Sequence, residues 1–169
     1  MASAKHIRQA RLTDINAIYD LIREHPKEVL PRSFHDISAH FDRFYVYDDG
    51  TVRGVISWQV LPSIEPEHRE YSVEVISFSV HRGDQGKGIG GLLLKHAVKI
   101  LKTFGPDRII ALTFHPEFFA KFGFKETSKE TLYQKIYQGC IHCTKYKSPL
   151  LCPEVAMEFV LKKVKKSKK

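Results

Sequence analysis

The sequence predicts an α/β fold built on a central sheet, and three observations carry that prediction. An apolar, β-branched run at residues 73–80 leads through a glycine turn, Gln85-Gly86-Lys87-Gly88-Ile89-Gly90, into a long helical pattern at residues 91–104. Two further strand-like runs, residues 44–47 and 52–60, are joined by Asp49-Gly50, a hairpin signal. A length of 169 residues, with 43% hydrophobic and 27% charged, suits one domain with a real core.

The elements follow in order. Residues 6–10 read as a short first strand. Thr13 is the expected N-cap of a helix with Asp14 in its first turn, an apolar stripe at Ile15, Ile18, Leu21 and Ile22, and a stop at Pro26. Ser33 is placed to cap a second helix carrying Ile37, His40 and Phe41. After the hairpin, residues 62–69 form a polar loop with two prolines and two glutamates. The helix after the glycine turn shows an i, i+3, i+4 face of Ile89, Leu92, Leu93, His96, Ile100 and Leu101. Residues 108–113 read as a short buried strand, and residues 117–122 as one or two helical turns closed by Gly123. A strand from Phe124, a short helix at 132–137 and a last strand at 155–161 complete the order, without an internal repeat or a linker.

Charge narrows the partners. The net charge of +8 suggests nucleic acid, but its distribution argues otherwise. Removing the six lysines of residues 162–169 from the 27 basic residues leaves 21 against 19 acids, a net of +2. The domain therefore spans 1–161, and the Lys-rich tail 162–169 is expected to be a disordered, solvated end. No apolar run approaches a membrane span, and the N-terminal residues lack an apolar signal segment, so a cytoplasmic setting without nucleic acid or membrane is expected.

The glycine turn carries chemistry. Glycines let successive N–H groups turn inward around an anion, the following helix N-terminus adds unpaired donors, and Lys87 adds a charge. A phosphate loop of the G-x-x-x-x-G-K-[ST] type is excluded, because no GK[ST] occurs in the chain. Gly86, Gly88 and Gly91 can be read as G-x-G-x-x-G, but the dinucleotide fingerprint belongs near the first strand of a βαβ unit, and here the glycines stand at the alternate positions 86, 88 and 90. What fits is Q-x-x-G-x-G, with Gln85, Gly88 and Gly90 in the marked positions.

That pattern, the His81–Gly90 run, the Lys121-Phe122-Gly123-Phe124 segment and the element order resemble the GNAT acetyltransferases. Leu30-Pro31-Arg32-Ser33, Ala111-Leu112-Thr113, Pro116-Glu117-Phe118-Phe119, Cys140-x-x-Cys143 and Cys152-Pro153-Glu154-Val155-Ala156-Met157 resemble, more narrowly, the short stand-alone N-acetylglutamate synthases. Pro153, where an acidic residue is expected, and the Lys-rich tail depart from that group. The larger synthases of this kind carry a kinase-like domain for which this chain has no room.

The resemblance implies a single-domain GNAT fold: a mixed, mostly antiparallel sheet with splayed strands, flanked by helices. It implies acetyl-CoA as co-substrate and acetyl transfer to the α-amine of L-glutamate, the first step of arginine biosynthesis. Gln85, Gly86, Lys87, Gly88, Ile89, Gly90 and Gly91 would hold the pyrophosphate, with Arg82 at the loop entrance. Pantetheine would pair along Phe78, Ser79 and Val80, where a backbone N–H polarises the thioester carbonyl. Phe119 stands where many relatives place a proton-donating tyrosine, so the thiolate leaves unassisted or another group serves, and the ring packs on pantetheine. Glu74 is the first candidate base, with a sheet-end ion pair as its alternative; His81 and His115 stand behind it. Arg32 would grip a carboxylate, Ser33 would add a bond or serve as a cap, Lys135 would meet a second carboxylate or lie exposed, and Thr113 would line the substrate. The acceptor could instead be another amino acid, a polyamine or a protein amine, and a coenzyme A sensor without turnover is the rival outside catalysis. Cys140, Cys143 and Cys152 make half of a zinc signature, so no metal is expected and the thiols are read as packing. A homodimer is left open.

Overall fold

The computed structural model describes residues 2–61, 63, 70–143 and 145–161. The Lys-rich tail 162–169, and the 62–69 loop apart from Ser63, lie outside the described residues. The strands are β1 (Ile7–Gln9), β2 (Tyr45–Asp48), β3 (Val52–Leu61), β4 (Ser72–Val80), β5 (Arg108–Thr113), β6 (Lys125–Glu126) and β7 (Val155–Val160). The helices are α1 (Ile15–Arg23), α2 (Phe34–Ala39), α3 (Ile89–Thr103), α4 (Pro116–Ala120) and α5 (Tyr133–Gln138). Among the described residues, seven strands form one sheet in the order β1-β2-β3-β4-β5-β7-β6. Pairing is antiparallel at β1/β2, β2/β3, β5/β7 and β6/β7 and parallel at β4/β5, so the sheet is mixed and mostly antiparallel.

The described residues of Met1–Gln59 and Val75–Ile100 form one compact unit, and those of Val60–Glu74 and Leu101–Lys169 another. In the first, the α1 stripe of Ile15, Ile18, Leu21 and Ile22 packs with Ile37 of α2, Phe44, Val46 and Val55. The predicted cap at Thr13 is corrected. Leu12–Asp14 form a 3-10 turn, and α1 begins at Ile15. The reason is electrostatic: the Asp14 carboxylate accepts the Arg11 N–H at 2.6 Å and the two terminal Arg8 guanidinium nitrogens at 2.6 and 2.9 Å, which fixes the chain one turn early. Ser33 does cap α2, its hydroxyl accepting the Asp36 N–H at 3.0 Å.

In the second unit, β5 lies parallel to β4 over Ser72↔Arg108 to Glu74↔Ile110 and antiparallel to β7 from Arg108↔Val160 to Thr113↔Val155. Ile110, Leu132, Ala156 and Leu61 form its core. Arg108, buried at the start of β5, pairs with Glu70 at 2.5 Å and Glu158 at 3.2 Å and donates to the Thr131 carbonyl at 2.8 Å. These bonds fix where β5 starts, and so where Thr113 ends it.

Candidate active site

The glycine loop follows directly from β4. Its entry is a 3-10 turn, Arg82–Asp84, held where the His81 N–H donates to the Arg53 carbonyl at 2.8 Å. Asp84 ties the loop down. Its carboxylate takes Lys87 Nζ at 2.7 Å and Arg53 Nη1 at 3.1 Å, and these two cations, Lys87 first, hold the carboxyl below the usual range. Lys87 is thus already paired with an acid, though its side chain stays well exposed. Arg82 is turned away from a purely phosphate-directed role, because its guanidinium donates to the Glu24 carbonyl at 3.1 and 2.5 Å. Sequence reasoning missed Asp84; an aspartate three residues before the loop lysine was the available signal.

The loop fits an anionic ligand. Gly86 and Gly88 have φ of +76° and +88°, and a Cβ at either would meet nothing within 4 Å. The backbone is therefore turned into a conformation that disfavours side chains, with open space beside it. Among the described residues, the N–H groups of residues 86–91 have no backbone acceptor, while Leu92 N–H closes the first α3 turn on the Gly88 carbonyl at 3.2 Å. Six such N–H groups at the start of a 15-residue helix could hold an anion. A cleft of roughly 380 Å³ opens beside Gln85, lined by His25, Pro26, Lys27, Glu28 and Arg82. His25 is fixed there by donating Nε2–H to the Val80 carbonyl at 2.9 Å.

Upstream, Ser77 has φ +50° in the middle of β4, so the strand is irregular between Ile76 and Phe78. The simple alternation that would carry Glu74, Ile76 and Phe78 on one face does not run unbroken. The Ser77 and Ser79 hydroxyls are buried without a hydrogen-bond partner among the described residues.

Of the other candidates, Glu74, Thr113, His115, Phe119 and Lys135 lie in the second unit, and Arg32 and His81 in the first. Glu74 and Lys135 form an ion pair at 2.8 Å, with side chains only 4% and 8% exposed. Neither the exposed-lysine reading of Lys135 nor an unengaged Glu74 agrees with this geometry. α5 carries the lysine inward, and Gly139 one turn on leaves room for it: a Cβ there would lie 3.3 Å from Lys135 Nζ. Thr113 ends β5 with its hydroxyl accepting the His115 N–H at 2.9 Å. Phe119 is buried in an aromatic group with Phe118 and Phe124. His81 and His115 are exposed, and each has an acid within 4 Å, Glu24 and Asp84 for the former and Glu117 for the latter. Arg32 is half-buried and makes no hydrogen bond or ion pair among the described residues. Cys140, Cys143 and Cys152 are free thiols, and no group of three or more His, Cys, Asp or Glu among the described residues is arranged to hold a metal ion.

Glu154 is the residue sequence reasoning passed over except as part of a motif. It immediately precedes β7, and its Oε2 accepts the Cys152 thiol at 3.5 Å. Burial pushes its carboxyl up; the Cys152 thiol and Lys135 oppose the rise, and Glu74 adds to it.

The chain belongs to the acetyltransferase (GNAT) family, whose family model matches residues 13–124. It is an acetyltransferase of the GNAT type, and the acyl donor of that chemistry is acetyl-CoA. An uncharacterised N-acetyltransferase of Chlorobaculum tepidum is 33% identical over 89% of this chain and 93% of its own length. The amino-acid acetyltransferase of Vibrio cholerae is 32% identical over 78% of this chain, but the match spans only 29% of that protein. Among solved structures, N-acetylglutamate synthase from Neisseria gonorrhoeae, complexed with coenzyme A and N-acetyl-glutamate, superposes with a TM-score of 0.71 at 24% identity, over 93% of this chain and 35% of its own. The same synthase complexed with coenzyme A and L-arginine matches at 26% identity and a TM-score of 0.67. No helix among the described residues is long and apolar enough to cross a membrane.

Proposed function

We propose that the enzyme transfers the acetyl group of acetyl-CoA to the α-amine of an amino acid, L-glutamate first among the candidates, as an entry step to arginine biosynthesis in the cytoplasm. The observation that carries the acceptor class is Arg32, a half-buried guanidinium without a partner among the described residues. Partly removed from water, such a group gains by donating two parallel bonds to a carboxylate. The relatedness to amino-acid acetyltransferases supports the same class.

Each group then has a task. When bound, acetyl-CoA supplies an activated thioester. Gln85 to Gly91 would hold its pyrophosphate with backbone donors, Lys87 would balance charge there, and Phe78, Ser79 and Val80 would present backbone groups to the pantetheine arm. Thr113 would line the acceptor, and Phe119 would give the arm an apolar wall. Ser33 supports Arg32 through the α2 cap.

One observation favours a second reading. Lys135 is held by Glu74 in the interior, so a second acceptor carboxylate would have to compete with an existing buried ion pair. An amino acid with a neutral side chain avoids that competition. The deciding experiment measures coenzyme A release from acetyl-CoA against a panel of free amino acids, polyamines and peptide amines. Glutamate as the substrate with the highest kcat/KM supports the first reading, and a neutral amino acid the second. A preference for polyamines or peptide amines overturns both.

A further inference from the structure

One group of titratable side chains is left over once the sequence-assigned roles are distributed. Glu74 is closed off: its side chain is almost wholly buried and its charge is committed to Lys135 at 2.8 Å. An ammonium and a carboxylate held together out of water form a neutral unit, and protonating the carboxylate breaks it. Glu154 differs on both counts. It is only half-buried, so it is open to an incoming ligand, and its one short contact among the described residues is a weak donor, the Cys152 thiol at 3.5 Å. It immediately precedes Val155, which pairs with Thr113, so it stands at the carboxyl end of β5.

We propose that Glu154 accepts the proton of the incoming amine, and that the Glu74–Lys135 pair is a fixed, neutral support beside it. This deepens the acetyl-transfer reading and rests on it. The acceptor ammonium gives one proton to the Glu154 carboxylate. The freed lone pair forms the C–N bond as the thioester C–S bond breaks. The second proton leaving nitrogen passes to the departing thiolate, and Glu154 returns its own to solvent.

The surroundings suit a base that works near neutrality. Burial raises the carboxyl, which improves a proton acceptor whose ordinary value lies well below the working pH. The groups acting on it are Cys152 from its own segment, Lys135 from α5, Glu74 from β4 and Lys145; Cys140, after α5, senses the same charges. Two carboxyl groups in one cluster, one closed into an ion pair and the other raised and open, have divided roles.

The test uses the full-length enzyme with acetyl-CoA and whichever amine of the panel it acetylates best, so a wrong acceptor assignment leaves the test standing. Glu154→Gln should lower kcat at pH 7 by about 10²-fold or more, keep acetyl-CoA affinity within about twofold, and recover as pH rises toward the amine's own pKa. Because the thiol stabilises the charged carboxylate, Cys152→Ala should keep the enzyme active but move the acidic limb of its kcat–pH profile to higher pH. A folded Glu154→Gln enzyme whose rate stays within about threefold of wild type overturns the proposal. So does an acidic limb that Cys152→Ala leaves in place.

Discussion

At the scale of single residues, the informative groups are those whose charge is or is not already spent. Arg32 has no partner among the described residues, whereas Lys135 has one. Arg32→Ala should therefore raise the KM for the amino acid and leave acetyl-CoA binding alone. A lost charged hydrogen-bonding partner costs about 1.5–3 kcal/mol, roughly a tenfold to hundredfold change. An unchanged amino-acid KM in a folded Arg32→Ala enzyme removes Arg32 from the acceptor site. Lys135 predicts a different readout. Lys135→Met removes the ammonium from a buried ion pair, and such a change costs about 3–5 kcal/mol of stability. Adding Glu74→Gln should restore most of it, because the buried negative charge is then removed as well. Urea unfolding of the two single variants and the double variant measures this, and a single variant as stable as wild type would show that the pair contributes nothing.

At the scale of elements, the order of strands and helices was legible because periodicity is local. The α1 stripe, the Asp49-Gly50 turn and the 108–113 strand could each be read within a few residues of chain, and β5 runs over Arg108–Thr113. What could not be read is set by partners distant in sequence. Thr13 resembles a cap until Arg8 and Asp14 meet, and Lys135 resembles a surface lysine until β4 supplies Glu74. Glu154 had no signal beyond its motif, because its environment comes from burial and from α5 and β4. The glycine loop is the opposite case: its chemistry is its backbone, so its spacing sufficed to nominate it. Gly88 sits at φ +88°, a conformation a β-branched residue avoids at a cost of about 1–3 kcal/mol. Gly88→Val should relax the loop away from this shape and weaken acetyl-CoA binding by at least about tenfold, while the unfolding midpoint moves little, since the loop is exposed. Titration calorimetry with acetyl-CoA checks it; an unaltered affinity would sink the phosphate-loop assignment.

At the scale of the whole molecule, the charges that fold the chain should show in how its stability follows pH. Arg8 in β1 joins Asp14, at the entrance of α1, to Asp48, at the end of β2: it meets the former at 2.6 and 2.9 Å and the latter at 2.7 and 3.0 Å. The Arg8 guanidinium is the largest cause holding both carboxyls below their ordinary range. In the unfolded chain they return to about 3.9. The unfolded state then binds protons more readily than the folded one, so this stabilisation is complete above about pH 4 and is lost as pH falls through the depressed folded values. Burial and Lys99 lower His96, which adds a loss of the same sign that begins below about pH 6.5. Glu154 works in the opposite direction: its raised carboxyl favours the protonated folded state, so its contribution is present below about pH 4.3 and fades as pH rises. The steep limb below pH 4 should therefore belong to the Arg8 cluster. Urea unfolding from pH 7 down to 3 should show wild-type stability dropping fastest at the acid end. Arg8→Met should be less stable at pH 7 and should lose less on acidification, because its aspartates would no longer be held low. Equal losses in the two proteins between pH 5 and 3 would place the acid sensitivity elsewhere in the chain.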